Sequence, residues 1–395
     1  PLKKLGLIII YDEENWSYKQ EQAPFYHLRD VASMRAKLER SSLLLVSSAP
    51  SAEVWHEAEK RKILKVTCGS PAKNKVQIID MAHLDSYQKM SLSFPLRNII
   101  EKTIQAKGKA VLFLNRRGFS TMARCNQCGY TLRCQRCDIN MTYLYAKKKM
   151  VCRLCQAQAE LPAVCPKCNS SYLRYLGAGI EKLESELARI FPQARIGRFD
   201  KETAVVPRDT DIIIATQAVI KVLAQLSINL IAVLEFDSEL QRLDFRATQV
   251  AFSSMMHLKQ SAQDQLIIQT YNPDHYCLQA ISRGDFSYFY REEIKSRREL
   301  GFPPFQHLIA IGLRGAREDE VFQEANELYS RLRELPLPHL DISDPQPDVV
   351  PKLRDKYRFT IMLKSKLIQK TLPLIKTVLK KVKKRNIVIT MNVDP

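Results

Sequence analysis

At 395 residues the chain is too long for one small core, and two or three domains are expected. Its 61 lysines and arginines against 42 acidic residues give a formal charge of +19, which points to a polyanionic partner, nucleic acid before membrane. No apolar run approaches the roughly 20 residues of a membrane-crossing helix, so no membrane partner is expected. A basic surface kept for solubility is the plainer alternative. With no secretory signal, a cytoplasmic protein of a reducing compartment is expected. The first residue is proline, so a start inside a longer product is expected.

In chain order, the first ~90 residues alternate strand and helix as an open parallel sheet does. Leu7 to Tyr11 is a continuous apolar run suited to a buried strand. A helix follows over Leu28 to Glu39, a strand over Leu43 to Val46, a helix over Ala52 to Lys60 and a strand over Val76 to Met81. A second α/β unit opens near Pro95, with a strand at Ala110 to Leu114. After a cysteine block it resumes with a helix at Glu181 to Ile190 and strands at Ile212 to Ala215 and Leu230 to Leu234. Beyond Cys277 a charged helix over Phe286 to Leu300 leads into Gly301-Phe302-Pro303-Pro304-Phe305. The remainder reads β-α-β-α-β. Its strands lie near Leu308 to Leu313, Phe359 to Leu363 and Ile387 to Met391, and its helices near Glu318 to Glu334 and Leu367 to Lys381.

Eight of the ten cysteines form four C-x-x-C knuckles: Cys125/Cys128, Cys134/Cys137, Cys152/Cys155 and Cys165/Cys168. One knuckle offers two thiolates on a tight turn and a tetrahedral Zn²⁺ needs two knuckles, so two Cys₄ zinc sites are expected. A disulfide cluster fits poorly, because a C-x-x-C loop is short for a structural bridge, and a thioredoxin-like redox pair would need only one motif. Fourteen residues separate Cys137 from Cys152, close to single-ribbon spacing, whereas only five separate Cys128 from Cys134. A nested arrangement is therefore favoured over sequential pairing, and the block reads as an insertion in a parallel-sheet domain.

Other motifs are weaker. Asp12-Glu13-Glu14 follows a strand, where an Asp can hold Mg²⁺ and a Glu can polarise an attacking water; solvated turns share the pattern. Trp16, Tyr18, Phe25 and Tyr26 stand among Lys19, His27 and Arg29, a mixture suited to stacking on single-stranded bases or to ordinary core packing. Arg116 and Arg117 end a strand and offer two guanidiniums to a phosphate. Gly177-Ala178-Gly179 precedes a helix, as an anion-binding turn or a plain tight turn does. Lys352, Arg354, Lys356 and Arg358 alternate along what reads as an extended segment, placing four bases on one face, for nucleic acid or as a solvated edge.

Together these pieces resemble one family, the primosomal protein N-prime (PriA) replication-restart DNA helicases. The likeness rests on Gly6 to Glu14, Ser17 to Glu21, Arg29 to Ala32, Arg35 to Lys37, Leu114 to Phe119, all eight knuckle cysteines and Asp244 to Ala247. It continues through Asp285 to Tyr290, Arg297 to Phe305, Lys356 to Phe359 and Val393-Asp394-Pro395. It implies an α/β superfamily 2 helicase with RecA-like lobes, the first partial, an inserted two-zinc Cys₈ module and a small α/β C-terminal domain. It divides the chain into 1–90 (end of lobe 1), 91–124 (start of lobe 2), 125–169 (zinc insertion), 170–284 (remainder of lobe 2) and 285–395 (linker helix and C-terminal domain). Zinc pairing in the family is nested: Cys125, Cys128, Cys165 and Cys168 on one ion, Cys134, Cys137, Cys152 and Cys155 on the other. The stretch from Trp16 to Tyr26 corresponds to the loop coupling single-strand binding to ATP hydrolysis. The resemblance also implies Mg-ATP, 3′ to 5′ unwinding, forked and single-stranded DNA, and contacts with single-stranded-DNA-binding protein and primosome components; a monomer is expected.

The departures fall where ATP chemistry belongs. No G-x-x-x-x-G-K-[ST] loop occurs, and in the family it would lie before residue 1. The family's DEEH reads Asp12-Glu13-Glu14-Asn15, and its Ser-Ala-Thr reads Ser47-Ser48-Ala49. After Thr216-Gln217 a Lys-Gly-His-like turn has become Lys221-Val222-Leu223. The last helicase motif reads His257 to Gln263, without the arginines whose loss costs roughly 10³ to 10⁵ in turnover. The expectation is a zinc- and DNA-binding replication-restart protein with impaired ATPase, Asp12 and Glu13 being vestigial. A working helicase with its nucleotide loop upstream and a non-catalytic docking protein are the alternatives.

Overall fold

The structure is a computed structural model that describes residues 5–68, 74–84, 92–114, 122–125, 127–128, 130–137, 139–144, 149–152, 155–171, 173–176, 180–199, 209–242, 244–337, 339–382 and 386–395. The chain folds as two units. One comprises Pro1–Val46, Met122–Tyr175 and Ile294–Pro395, the other Ser47–Thr121 and Leu176–Glu293.

In chain order the elements begin with β1 (Leu7–Tyr11), α1 (Leu28–Glu39), β2 (Ser42–Val46), α2 (Ala52–Glu59), β3 (Lys75–Asp80), α3 (Phe94–Gln105) and β4 (Ala110–Phe113). The cysteine block carries the short strands β5 (Met122–Cys125), β6 (Thr142–Leu144), β7 (Lys149–Val151), β8 (Gln158–Ala159) and β9 (Leu173–Leu176). Then come α4 (Ile180–Ile190), β10 (Ile196–Phe199), β11 (Ile212–Ala215), β12 (Ile228–Val233), α5 (Asp237–Leu240) and α6 (Ala247–Ser261). They are followed by β13 (Ala262–Thr270), α7 (Tyr276–Arg283) and α8 (Phe286–Glu299). The C-terminal part holds β14 (His307–Gly315), α9 (Glu318–Arg333), β15 (Asp341–Ile342), β16 (Gln346–Leu353), β17 (Lys356–Ser365), α10 (Ile368–Lys380) and β18 (Val388–Val393).

The second unit is a parallel sheet in the order β10-β11-β4-β12-β13-β3. Its central strands are buried on both faces, which is why they read as unbroken apolar runs. Val111, Phe113, Ile213, Ile231, Val233, Leu266 and Ile268 face a core completed by Phe252, Met255 and Leu258 of α6 and by Leu278 and Ile281 of α7. Leu112, Leu114, Ile212, Ile214, Leu230, Ala232 and Ile267 face the opposite core, with Leu96 and Ile100 of α3 and Leu183 and Leu187 of α4. Caps fix the helix starts: the Ser51 and Ser93 hydroxyls accept from Val54 and Leu96 N–H at 3.3 and 3.4 Å. β3, which the sequence groups with 1–90, pairs instead with β13 at the edge of this sheet. The helix α2 joins the same unit, the Ala52 N–H donating to Gln249 Oε1 at 3.1 Å and the Trp55 ring meeting Phe286 at 4.6 Å.

In the first unit the C-terminal part is an antiparallel sheet ordered β15-β17-β14-β18, with β16 also on β17. Alternate residues of β14 and β17 (Ile309, Ile311, Leu313, Phe359, Ile361, Leu363) pack against Val321, Leu328 and Leu332 of α9 and Ile375 of α10. Gly315 lets β14 approach α9 closely, since a Cβ there would meet Val321 Cγ2 at 2.7 Å. Arg297 of α8, 1% exposed, donates to the carbonyl of Pro303 at 3.1 Å and so pins the Gly301–Phe305 turn. β1 and β2 form a parallel pair carrying α1. Leu7, Ile9 and Tyr11 of β1 and Met34 and Leu38 of α1 are exposed.

Candidate metal centres and nucleic-acid interface

The knuckles share one local geometry. In each, the N–H of the first cysteine donates to the carbonyl five residues on (Cys125 to Tyr130, Cys134 to Ile139, Cys152 to Ala157, Cys165 to Ser170), at 2.8 Å in all four. Gln156 and Asn169, one past Cys155 and Cys168, take left-handed φ of 61° and 55° and curl the turn around the sulfurs. β5 pairs β9 and brings the outer knuckles together, while β6, β7 and β8 form the small antiparallel sheet that carries the inner pair.

The result is two Cys₄ clusters, Cys125/Cys128/Cys165/Cys168 and Cys134/Cys137/Cys152/Cys155, each with its four Sγ within 4.8 Å of one another. Sulfur separations are 3.7 Å for Cys125–Cys168 and 3.6 Å for Cys128–Cys165 and Cys134–Cys155. A disulfide would need about 2.05 Å. A tetrahedral ion with Zn–S bonds of about 2.3 Å has edges of about 3.8 Å, so the donor set fits a thiophilic tetrahedral ion. The nested arrangement favoured by spacing is the one the fold makes. The Cys128 backbone N–H holds the Cys125 thiol down to about 6, whereas burial pushes the Cys134 and Cys137 thiols up. A bound cation would deprotonate the latter outright.

The basic segment is laid out differently from the sequence expectation. Arg354 and Asp355, with φ of 50° and 62°, make a two-residue turn, and Lys352 pairs with Tyr357 across the β16–β17 hairpin. Side chains alternate along each strand, so Lys356 and Arg358 share one face and Lys352 lies on the other, with its ammonium 5.3 Å from the Tyr357 ring. The four bases therefore do not line one face. Arg358 is paired to Asp348 at 2.7 Å.

The tip of that hairpin rests on the inner knuckle. The Arg354 N–H donates to Cys137 Sγ at 3.4 Å, the Asp355 N–H to the Arg136 carbonyl at 3.0 Å, and Lys352 Nζ to the Gln135 carbonyl at 3.2 Å. Arg136 Nε reaches Asp355 at 2.9 Å, and Leu353 packs among Cys134, Cys137, Met141, Met150 and Cys152. A hydrogen bond to a ligating sulfur is the kind of outer contact that orients a metal site. Nothing in the sequence marks it, because the turn lacks the Asn-Gly or Asp-Gly pair that announces such hairpins.

Asp12, at φ 50°, turns the chain after β1. Glu13 is buried and accepts from Arg29 at 3.0 Å, a partner the sequence offers only as one base among several. Trp16–Tyr18 form a 3₁₀ turn capped by Asn15, where Tyr18 Oη donates to the Tyr11 carbonyl at 2.7 Å and Trp16 Nε1 to Glu21 at 3.4 Å. Lys19 is buried and donates to the Val393 carbonyl at 2.6 Å. Arg116, Arg117 and Gly177 to Gly179 lie outside the described residues.

The family model of the primosomal protein N C-terminal domain matches residues 298–395. The replication restart protein PriA of Bacillus subtilis (strain 168) is 30% identical over 421 residues, covering 100% of this chain and 52% of its own length. That of Synechocystis sp. is 31% identical, covering 100% of this chain and 51% of its own length. That of Treponema pallidum (strain Nichols) is 33% identical over 386 residues, covering 92% of this chain and 58% of its own length. Along its whole length the chain is similar to proteins named replication restart protein PriA. It spans about half the length of the curated PriA relatives it matches. The PriA likeness covers the parallel sheet, both cysteine clusters and the C-terminal sheet domain alike.

Proposed function

We propose that the chain acts in replication restart as a zinc-stabilised DNA-binding protein of the cytoplasm. In this reading it is a monomer that takes forked and single-stranded DNA and meets single-stranded-DNA-binding protein and primosome components. The observation that carries this is the whole-chain relationship to proteins named for replication restart. The surplus of basic residues supports the DNA partner, and the two Cys₄ clusters support two structural Zn²⁺.

ATP hydrolysis is weak or absent in this reading. The family's last motif falls on α6, where Lys259 is the sole lysine or arginine. Lys259 is buried, its ammonium lies 3.4 Å from the Ile281 carbonyl at the end of α7, and desolvation pulls its pKa down. It is thereby fixed as a helix-end partner, a poor substitute for an arginine on a transferring phosphoryl group. Glu13, tied to Arg29, is likewise poorly disposed to polarise a water.

The test is zinc content together with anisotropy of a labelled fork at low and moderate salt. Two zincs with tight binding that weakens steeply with salt is the expected result, because phosphate contacts release counterions. Absence of fork binding at low salt overturns the DNA reading. DNA-stimulated ATP turnover at a family-like rate, in the longest natural product containing this chain, overturns the loss of the motor.

A further inference from the structure

Beside the hairpin–knuckle contact lies a cleft of about 520 Å³, within the usual size range of small-ligand sites. Tyr130, Arg133 and Gln135 line it from the cysteine module, and Glu318, Lys352 and Tyr357 from the C-terminal sheet domain. We propose that this cleft seats a nucleotide of single-stranded DNA, an inference that rests on the DNA-binding reading above. Two phenol rings supply the stacking faces and two cations the phosphate contacts, the combination by which single strands are held without sequence preference. Lys352 has three donors, one of them committed to the Gln135 carbonyl. Glu318 repels phosphate, so the backbone of the strand runs on the Arg133–Lys352 side and the base turns towards the tyrosines. Duplex DNA, whose bases are stacked and paired, cannot enter.

The spacing of the two walls is set by the contacts of Arg354 and Asp355 with the inner knuckle. The cleft therefore depends on the inner cysteine knuckle as well as on its own side chains. An acidic peptide would find the same two cations but would make little use of the two phenol rings, and the single strand is the better fit.

The experiment uses the whole zinc-loaded chain and a short fluorescein-labelled single strand, with a blunt duplex as control. Tyr130→Ala and Tyr357→Ala are each expected to weaken single-strand binding about tenfold, as loss of one stacked base does. Arg133→Ala is expected to lower the slope of log affinity against log salt by about one contact. Zinc content and duplex affinity stay unchanged in all three variants. Tyr357→Phe, which keeps the ring in β17, retains binding and separates stacking from folding. Alanine variants that hold two zincs yet bind the single strand within twofold of the parent overturn the cleft. So does loss of binding to an acidic peptide with DNA affinity intact, which would assign the cleft to a protein. A parent chain that binds no DNA at low salt instead removes the reading on which the cleft rests.

Discussion

Glu13 is held by Arg29 at 3.0 Å with only 1% of its side chain exposed. Removing the guanidinium from so enclosed a carboxylate is costly, which makes the pair part of the fold of the β1–α1–β2 segment. Replacing Glu13 by Gln is expected to cost roughly 3 kcal/mol, because it leaves a half-desolvated charge behind. Arg29→Ala should cost a similar amount, and the double variant clearly less than the sum. Urea midpoints of the three variants measure this, and strict additivity would show that the two residues are not coupled.

The two clusters should be separable. The parent chain is expected to hold two zincs, and Cys137→Ser and Cys165→Ser one each. Because the Arg354 N–H lies on Cys137 Sγ, Cys137→Ser should also speed hydrogen exchange at Arg354 and Asp355, and Cys165→Ser should not. Equal exchange in the two variants would mean that the hairpin does not depend on the inner cluster.

At the same contact, two substitutions should differ sharply. Arg136 and Asp355 are an exposed pair, and Arg136→Ala is expected to leave the unfolding midpoint where it was. Leu353 packs against the inner cysteines and both methionines, and Leu353→Ala is expected to cost about 2 kcal/mol. A reversal of that ranking would mean that charge, not packing, holds the hairpin down.

A pH dependence follows from His307, whose Nδ1 lies 2.8 Å from Asp394. The hydrogen bond to Asp394 raises the His307 pKa above its ordinary 6.5. The protonated form is thus favoured by folding. Its contribution is fully present below about pH 6.5 and is lost as pH rises through the higher folded value. The side chain is 45% exposed, so solvent screening holds the loss to about 0.5 kcal/mol or less. Denaturant midpoints at pH 5.5 and 8.5 should differ in this sense for the parent and converge in Asp394→Asn.

The parallel sheet was legible because strands buried on both faces read as plain apolar runs, as Ile212 to Ile214 and Leu230 to Val233 do. β13 escaped notice because Gln263, Asp264 and Gln265 open it and it follows α6 without a loop. β16 was hidden by Pro347 and Pro351, which an edge strand tolerates and a central one does not. The cysteine spacing alone favoured the nested clusters, since a short loop between Cys128 and Cys134 leaves no room for a ribbon. What the hairpin touches was illegible. Its charges advertised a strand face, whereas the backbone N–H groups of Arg354 and Asp355 make the contact, and every residue but proline carries one. The ion pair of Glu13 with Arg29 needed the return of α1, which periodicity predicts but does not aim.

Lys19 and the carbonyl it grips on Val393 stand 374 residues apart in the chain. At ~5–20 residues per second of synthesis, Lys19 waits roughly 20 to 75 seconds before its partner exists. During that delay the exposed apolar residues of β1 and α1 come to stand on a half-made chain, and for part of it the inner cysteines have emerged while their buttressing hairpin is not yet made. The yield of folded protein should therefore depend on zinc and chaperones available during translation, and rather little on what is supplied once the last residue is in place.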